Sequence, residues 1–329
     1  MVMAGVFRIP AEQMRHLCRV AVEFAIIISC AWYLVKRVNV WIGLFVALTA
    51  VMAIYPEFGR FALLRRDAIL MGVGWYVLLK FNADRDLIFN GICVLSIINS
   101  LFLILEWCGL DPYMIMSMGL FSSVDSTITG LMTNQNEASV LIGISLPLFF
   151  RGRWRWFIPL IALSLLPAES TVGIVCVLTS AIVYMFHRKD TMLGVVVVGI
   201  LLILLPLYVT YWDANGLSSA WRIRYNLIGL DILKDHPAGI GLGHWHLVTN
   251  QVHAHNDILQ IIVEMGLVCG VLVGGFFITT FYHTDLMGRT ILVSMVVASL
   301  VSFSWFIPVT GFVMVSLLAG IQFNRGSYD

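Results

Sequence analysis

The chain has 329 residues, of which 60% are hydrophobic and only 12% charged, with a mean hydropathy of +0.91. So little polar surface excludes an ordinary water-soluble globule of this size and points to a polytopic membrane protein. The formal net charge of +1 carries no excess of either sign, which argues against nucleic acid or another strongly charged partner.

In chain order, Arg8, Glu12, Arg15 and Arg19 break any continuous apolar run, so residues 7–19 read as a short amphipathic lead-in and no cleaved signal peptide is expected. Apolar runs follow at 20–35, 40–55, 67–81, 86–107, 137–150, 154–168, 170–187, 191–210, 257–282, 290–306 and 308–323. Crossing a hydrocarbon core takes about 17–25 helical residues. The expected fold is therefore all-α: a polytopic transmembrane bundle of about 10–12 spans, several of them short or tilted. No long linker, low-complexity tract or internal repeat divides it, so residues 1–329 read as one integral membrane domain. The six cysteines lie in or beside apolar runs and imply no disulfide framework. Trp107, Trp154, Trp156, Trp212 and Trp305 stand near predicted span ends, as interfacial anchors do.

Basic residues set the expected orientation. Arg151, Arg153 and Arg155, then Arg188 and Lys189, then Arg289, then Arg325 recur at every second connection and assign those turns to the cytoplasm. The connections at 108–134, 167–170, 211–256 and around Pro308 then face outward. Keeping Arg60, Arg65 and Arg66 inside as well requires an extra crossing or re-entrant piece within Pro112–Met132.

The outward segment 211–256 is the long polar loop, and five of the eight histidines fall between Trp221 and Gly270. Arg222 and Arg224 follow Trp221, and the run after them, Tyr225–Leu233, has Leu227, Leu230, Ile232 and Leu233 at spacings that suit an amphipathic helix lying on the membrane. An arginine fork there is able to grip a diphosphate bidentately, and the same residues also suit a snorkelling, purely interfacial role. Asp257 with Gln260 has the form of a helix N-cap and its reciprocating partner, which places His255 and Asn256 at a helix mouth where backbone N–H groups favour an anion. Gly239-Ile-Gly-Leu-Gly243 lacks the strand and βαβ setting of a nucleotide-binding loop and reads instead as tight backbone packing of the loop against the membrane, after the turn at His236-Pro237. His244-x-His246 and His253-x-His255 match no specific metal spacing, so no metal site is expected. Glu264 either supports the site from below or pairs with a neighbouring helix. Asn134-Gln-Asn136 opens the 137–150 run as a second polar cluster, fit either to line the same cavity or to cap its helix.

Arg222, the His236-Pro237 turn, Gly239–Gly243, His255-Asn256 with nine residues before Gly266, and Asn136-Glu-Ala138 together resemble the O-antigen ligase and O-antigen polymerase superfamily. The resemblance implies a helical bundle in the bacterial inner membrane, with the site loop facing the periplasm. It implies a donor glycan carried on undecaprenyl diphosphate, an acceptor hydroxyl on lipid A-core (ligase) or on another lipid-linked glycan (polymerase), and no metal or other cofactor. Arg222 would bind the diphosphate and His255 would serve the acceptor hydroxyl; Arg224, Asn256, Asp257, Asn136 and Glu264 complete the expected substrate-binding set. The rival class, a transporter, commonly shows paired halves with matching broken helices, and the sequence has no such duplication.

Overall fold

The computed structural model describes residues 40–52, 60–82, 84–110, 128–132, 134–150, 152–168, 170–188, 217–251, 253–302, 305 and 308–321. The lead-in 7–19, the runs 20–35 and 191–210, Trp212, Arg151, Lys189, Arg325 and residues 112–127 of the expected re-entrant piece lie outside these.

Every described element is helical: α1 (Val40–Met52), α2 (Arg60–Asn82), α3 (Arg85–Trp107), α4 (Gln135–Phe149), a 3-10 turn (Gly152–Phe157) leading into α5 (Ile158–Leu163) and α6 (Leu165–Ala168), α7 (Thr171–Arg188), α8 (Leu217–Asp235), α9 (Trp245–Thr249), α10 (Asp257–Met265), α11 (Leu267–Tyr282), α12 (Leu286–Val301) and α13 (Pro308–Ile321). Among the described residues, α3 is the one helix long and apolar enough by itself to cross a membrane. Side-chain oxygens start α3, α4 and α12 among others: Asp84, Asn134 and Asp285 accept from Asp86 N, Asn136 N and Gly288 N, satisfying first-turn donors that have no partner within the helix.

Two expected runs are broken. Residues 257–282 form two helices, because Gly266 at φ 84°, ψ 171° adopts a backbone that only glycine holds comfortably. Residues 154–168 form a 3-10 turn and two short helices that part at Ser164. Apolar composition marks both stretches as buried or lipid-facing, but hydropathy does not register a local reversal of φ.

The centre is α4, buried at every position from Glu137 to Phe149 and packed against α7 and α12. A Cβ at Gly143 would strike Cys176, and one at Gly173 would strike Ser139, so the two glycines let the α4 and α7 backbones approach closely. Small hydroxyls tie the interior: Ser96 Oγ donates to Ser145 Oγ at 2.8 Å, Ser164 Oγ to Ser100 Oγ at 3.0 Å, and Ser180 Oγ to the Gly143 carbonyl at 3.1 Å. The outside is the reverse, since α3 exposes Leu87, Val94, Ile98, Leu101 and Leu105 along one stripe and α11 exposes Val268, Val271 and Ile278.

The turns gather at two ends. Arg85 Nη2 bonds Asp285 Oδ2 at 2.9 Å, and Trp154 Nε1 donates to Asn90 Oδ1 at 2.7 Å, which brings the α2–α3, α4–α5 and α11–α12 connections together with Arg85, Arg153, Arg155 and Arg289. At the other end Ser170 Oγ donates to Asn136 Oδ1, Ser302 Oγ to Glu137 Oε1, and Asp257 N to the Ser302 carbonyl. That second end carries the histidine loop.

Candidate functional site

The loop between α8 and α10 is folded onto α10 by backbone hydrogen bonds. Ile240 N and Gly241 N donate to the carbonyls of Val263 and Glu264, and Leu267 N donates to the Pro237 carbonyl, so the last carbonyls of α10 find partners in the glycine segment. The fit is backbone to backbone, on the end of α10 instead of on the membrane surface that the sequence suggested: a Cβ at Gly239, φ 91°, would lie 2.5 Å from Gly266 N.

Glu264 fixes the remainder. Its carboxylate is fully buried, Oε2 accepting from Gly243 N at 2.9 Å and Oε1 from Trp245 N at 3.4 Å and Gln260 Nε2 at 3.2 Å. Gln260 in turn accepts from Ala254 N at 2.9 Å through Oε1. One face of α10 therefore holds both arms of the loop, through Glu264 and Gln260. The expected capping pair is corrected as well: Asn256, not Asp257, is the N-cap, accepting from Leu259 N at 3.0 Å, and Gln260 is committed to Ala254.

Asp257 is the first residue of α10, and it is clamped to the α12–α13 connection. Its N–H donates to the Ser302 carbonyl at 3.2 Å and its Oδ2 accepts from Trp305 N at 3.0 Å. With Asp257 N and Leu259 N both bonded, the helix mouth does not offer the full set of open N–H groups that the sequence suggested, and a carboxylate stands beside it.

Arg222 lies on α8, half-buried, and its positive charge acts on His255. Burial first, and then that charge, hold the His255 imidazole below the ordinary histidine range. His255 also sits at φ 55°, a left-handed backbone uncommon outside glycine, which aims a loop side chain that a regular turn would point elsewhere. The two residues expected to carry the chemistry are thus brought together from positions 33 apart in sequence. Arg224 is not part of the pair. Two residues along a helix turn about 200°, so Arg224 projects to the other side of α8, where it is exposed. The α8 helix divides its apolar residues in the same way: Tyr225, Ile232 and Leu233 pack around the fully buried Trp245, whereas Leu227 and Leu230 face outward.

Asn136 is occupied by Ser170, and the neighbouring Glu137 receives Ser302, so the Asn134–Glu137 cluster reaches the α10 mouth through the 302–305 connection. Sequence reasoning met Glu137 only within Asn136-Glu-Ala138, read Trp305 as an interfacial anchor and missed Ser302; a serine at a span end carries no distinguishing pattern. His246 Nδ1 lies 2.7 Å from the Gly243 carbonyl, and the His244 ring packs on Gly241. No three His, Cys, Asp or Glu side chains converge to hold a metal among the described residues.

Beside the mouth opens a cavity of about 270 Å³ between α1, α2, α10, α11 and α13. Trp41, Phe45, Tyr76, Ile261, Phe276 and Phe312 represent its apolar walls, and Asp257 is the one charged lining residue among those described. No family model and no curated protein matches this sequence.

Proposed function

We propose that the protein is a polytopic membrane glycosyltransferase that moves a glycan from a polyprenyl diphosphate, undecaprenyl diphosphate in the family it resembles, to an acceptor hydroxyl on lipid A-core. The observation that carries the reading is the electrostatic pairing of Arg222 with a half-buried His255 at positive φ, two residues before Asp257, which begins α10 and lines the apolar cavity. An apolar outer surface around a hydroxyl-rich interior supports embedding in the bilayer, because lipid removes the penalty on exposed leucine that water imposes. Basic turns at one end and the histidine loop at the other support an orientation with the site facing the periplasm.

In the reaction the acceptor oxygen attacks the anomeric carbon, the bond from that carbon to the diphosphate oxygen breaks, and the acceptor proton passes to His255. Keeping the imidazole neutral readies it as a base near physiological pH. Arg222 meets the diphosphate with planar, in-plane donors as negative charge builds on the leaving oxygen. The cavity takes the first isoprene units of the donor chain.

The test is purified full-length protein incubated with undecaprenyl-diphosphate glycan and lipid A-core, with products read by mass spectrometry. A new glycosidic bond to core is expected, and glycan joined only to a second lipid-linked glycan would reassign the enzyme as a polymerase. Donor moved between leaflets of a vesicle without any new bond would make the protein a carrier and overturn the reading.

A further inference from the structure

The end of the bundle away from the histidine loop holds a second polar cluster that transfer chemistry leaves unused. The 3-10 turn reads Gly152-Arg-Trp-Arg-Trp-Phe157 and has no buried residue; Trp156 is 76% exposed. Each arginine lies over the indole that follows it, Arg153 Cζ 5.0 Å from the Trp154 ring centre and Arg155 Cζ 5.2 Å from that of Trp156. Both arginines are exposed, and a guanidinium held by a cation–π contact keeps its charge and its N–H donors for an oxyanion. Residues 150–168 contain no acidic side chain. Of the carboxylates at this end of the fold, Asp285 binds Arg85 and Asp84 caps α3, while Asp86 is exposed in the first turn of α3.

Trp154 also fixes where this turn sits. Its Nε1 donates to Asn90 Oδ1 at 2.7 Å, one helical turn along α3 from Leu87. Leu87 begins the exposed stripe that continues through Val94, Ile98, Leu101 and Leu105. Eighteen residues of helix make that stripe about 27 Å long, close to a hydrocarbon core thickness of roughly 30 Å. The two arginines thus stand at the foot of a surface suited to acyl chains.

We infer that Arg153 and Arg155 form a headgroup site for an anionic phospholipid whose acyl chains lie along the α3 stripe. A phosphatidylglycerol-type headgroup presents phosphate oxygens without a cation, whereas a choline headgroup brings a quaternary ammonium against two guanidinium groups. Charge complementarity therefore selects the anionic lipid, and Trp156 lies at the headgroup level where amphipathic rings settle. This site stands apart from the glycosyl-transfer reading and requires only the membrane setting.

The test uses the full chain in a non-ionic detergent, titrated with dioctanoyl phosphatidylglycerol or dioctanoyl phosphatidylcholine, with bound lipid counted by native mass spectrometry. Phosphatidylglycerol should be retained in preference, by roughly fivefold per arginine, the order expected for a basic side chain at an anionic lipid surface. Arg153→Gln/Arg155→Gln should abolish the preference, and Arg289→Gln, at the same end of the bundle, should keep it. Equal retention of the two lipids by the unaltered chain, an unchanged preference in the glutamine pair, or displacement of the lipid by millimolar inorganic phosphate would each overturn the assignment, the last by showing a simple anion site.

Discussion

Gly239 and Gly266 pack against each other with nothing between their backbones. A Cβ on Gly239 would fall 2.5 Å from Gly266 N, and one on Gly266 would fall 2.5 Å from the Ala238 carbonyl oxygen. Both have positive φ, 91° and 84°. This contact joins the glycine loop to the break between α10 and α11, and through it the histidine loop is docked on the bundle.

Alanine at either glycine should therefore cost stability twice, through the forced φ and through the clash. The backbone term alone is on the order of 1–3 kcal/mol. Thermal unfolding in detergent should show a lower midpoint for Gly239→Ala and Gly266→Ala, while Gly274→Ala, whose Cβ would meet nothing within 4 Å, should be nearly neutral. Equal midpoints for all three would show that the contact does not hold the loop.

Glu264→Gln tests the loop from its other side. The substituted amide keeps one acceptor oxygen and turns an N–H₂ toward part of a donor set made of Gly243 N, Trp245 N and Gln260 Nε2. Leaving a buried donor unmatched costs about 1–3 kcal/mol. Amide hydrogen exchange should rise in residues 240–256 with little change in α4 or α12; exchange that rises uniformly would show a global role for Glu264.

Much of this arrangement was legible in the sequence, for identifiable reasons. The helix starts at Asn134 and near Arg85 are visible because polar caps adjoin long apolar runs, and Arg222 and His255 stand out as polar residues in the long polar segment 211–256. The break at Gly266 is hidden because glycine is common within apolar helices and only the contact with Ala238 and Gly239 explains its φ. Capping by Asn256 instead of Asp257 turns on a one-residue shift that composition does not resolve. Separating Arg222 from Arg224 needed the helix to be extended through both residues, since a surface loop would allow them to act as a fork. The cavity and the Glu137–Ser302–Asp257 connection depend on helices far apart in sequence, a kind of proximity that local pattern does not encode.

The cavity makes its own prediction. Ile261 lies on the wall formed by α10, half-buried, so Ile261→Trp fills space there without adding a charge. For a donor on a long prenyl chain, KM should rise several-fold with kcat held within a factor of about two, because binding shared equally by ground and transition states is what is lost. A donor analogue with a chain too short to enter should be used equally by both proteins. A fall in kcat with unchanged KM would place the cavity outside the donor path.

Arg222 and His255 permit the sharpest division of labour. His255→Ala removes the base and leaves the diphosphate partner, so transfer should fall by roughly 10²–10⁴ with donor binding retained. Arg222→Lys keeps a charge and loses the planar fork, so donor affinity and turnover should both drop. The pH dependence separates charge from geometry. Burial and the Arg222 charge hold His255 below the ordinary histidine range, so kcat should rise with pH as the imidazole loses its proton at that depressed value and then level off. Arg222→Gln removes the repulsion that disfavours the protonated ring, the His255 pKa rises, and the acid limb moves to higher pH; Arg222→Lys, which preserves the charge, should leave that limb in place. The measurements are donor binding by calorimetry and initial rates from pH 5 to 9 for each variant. Near-normal transfer by His255→Ala would remove the base role from that residue, and an acid limb unmoved in Arg222→Gln would show that the two side chains do not act on one another during turnover.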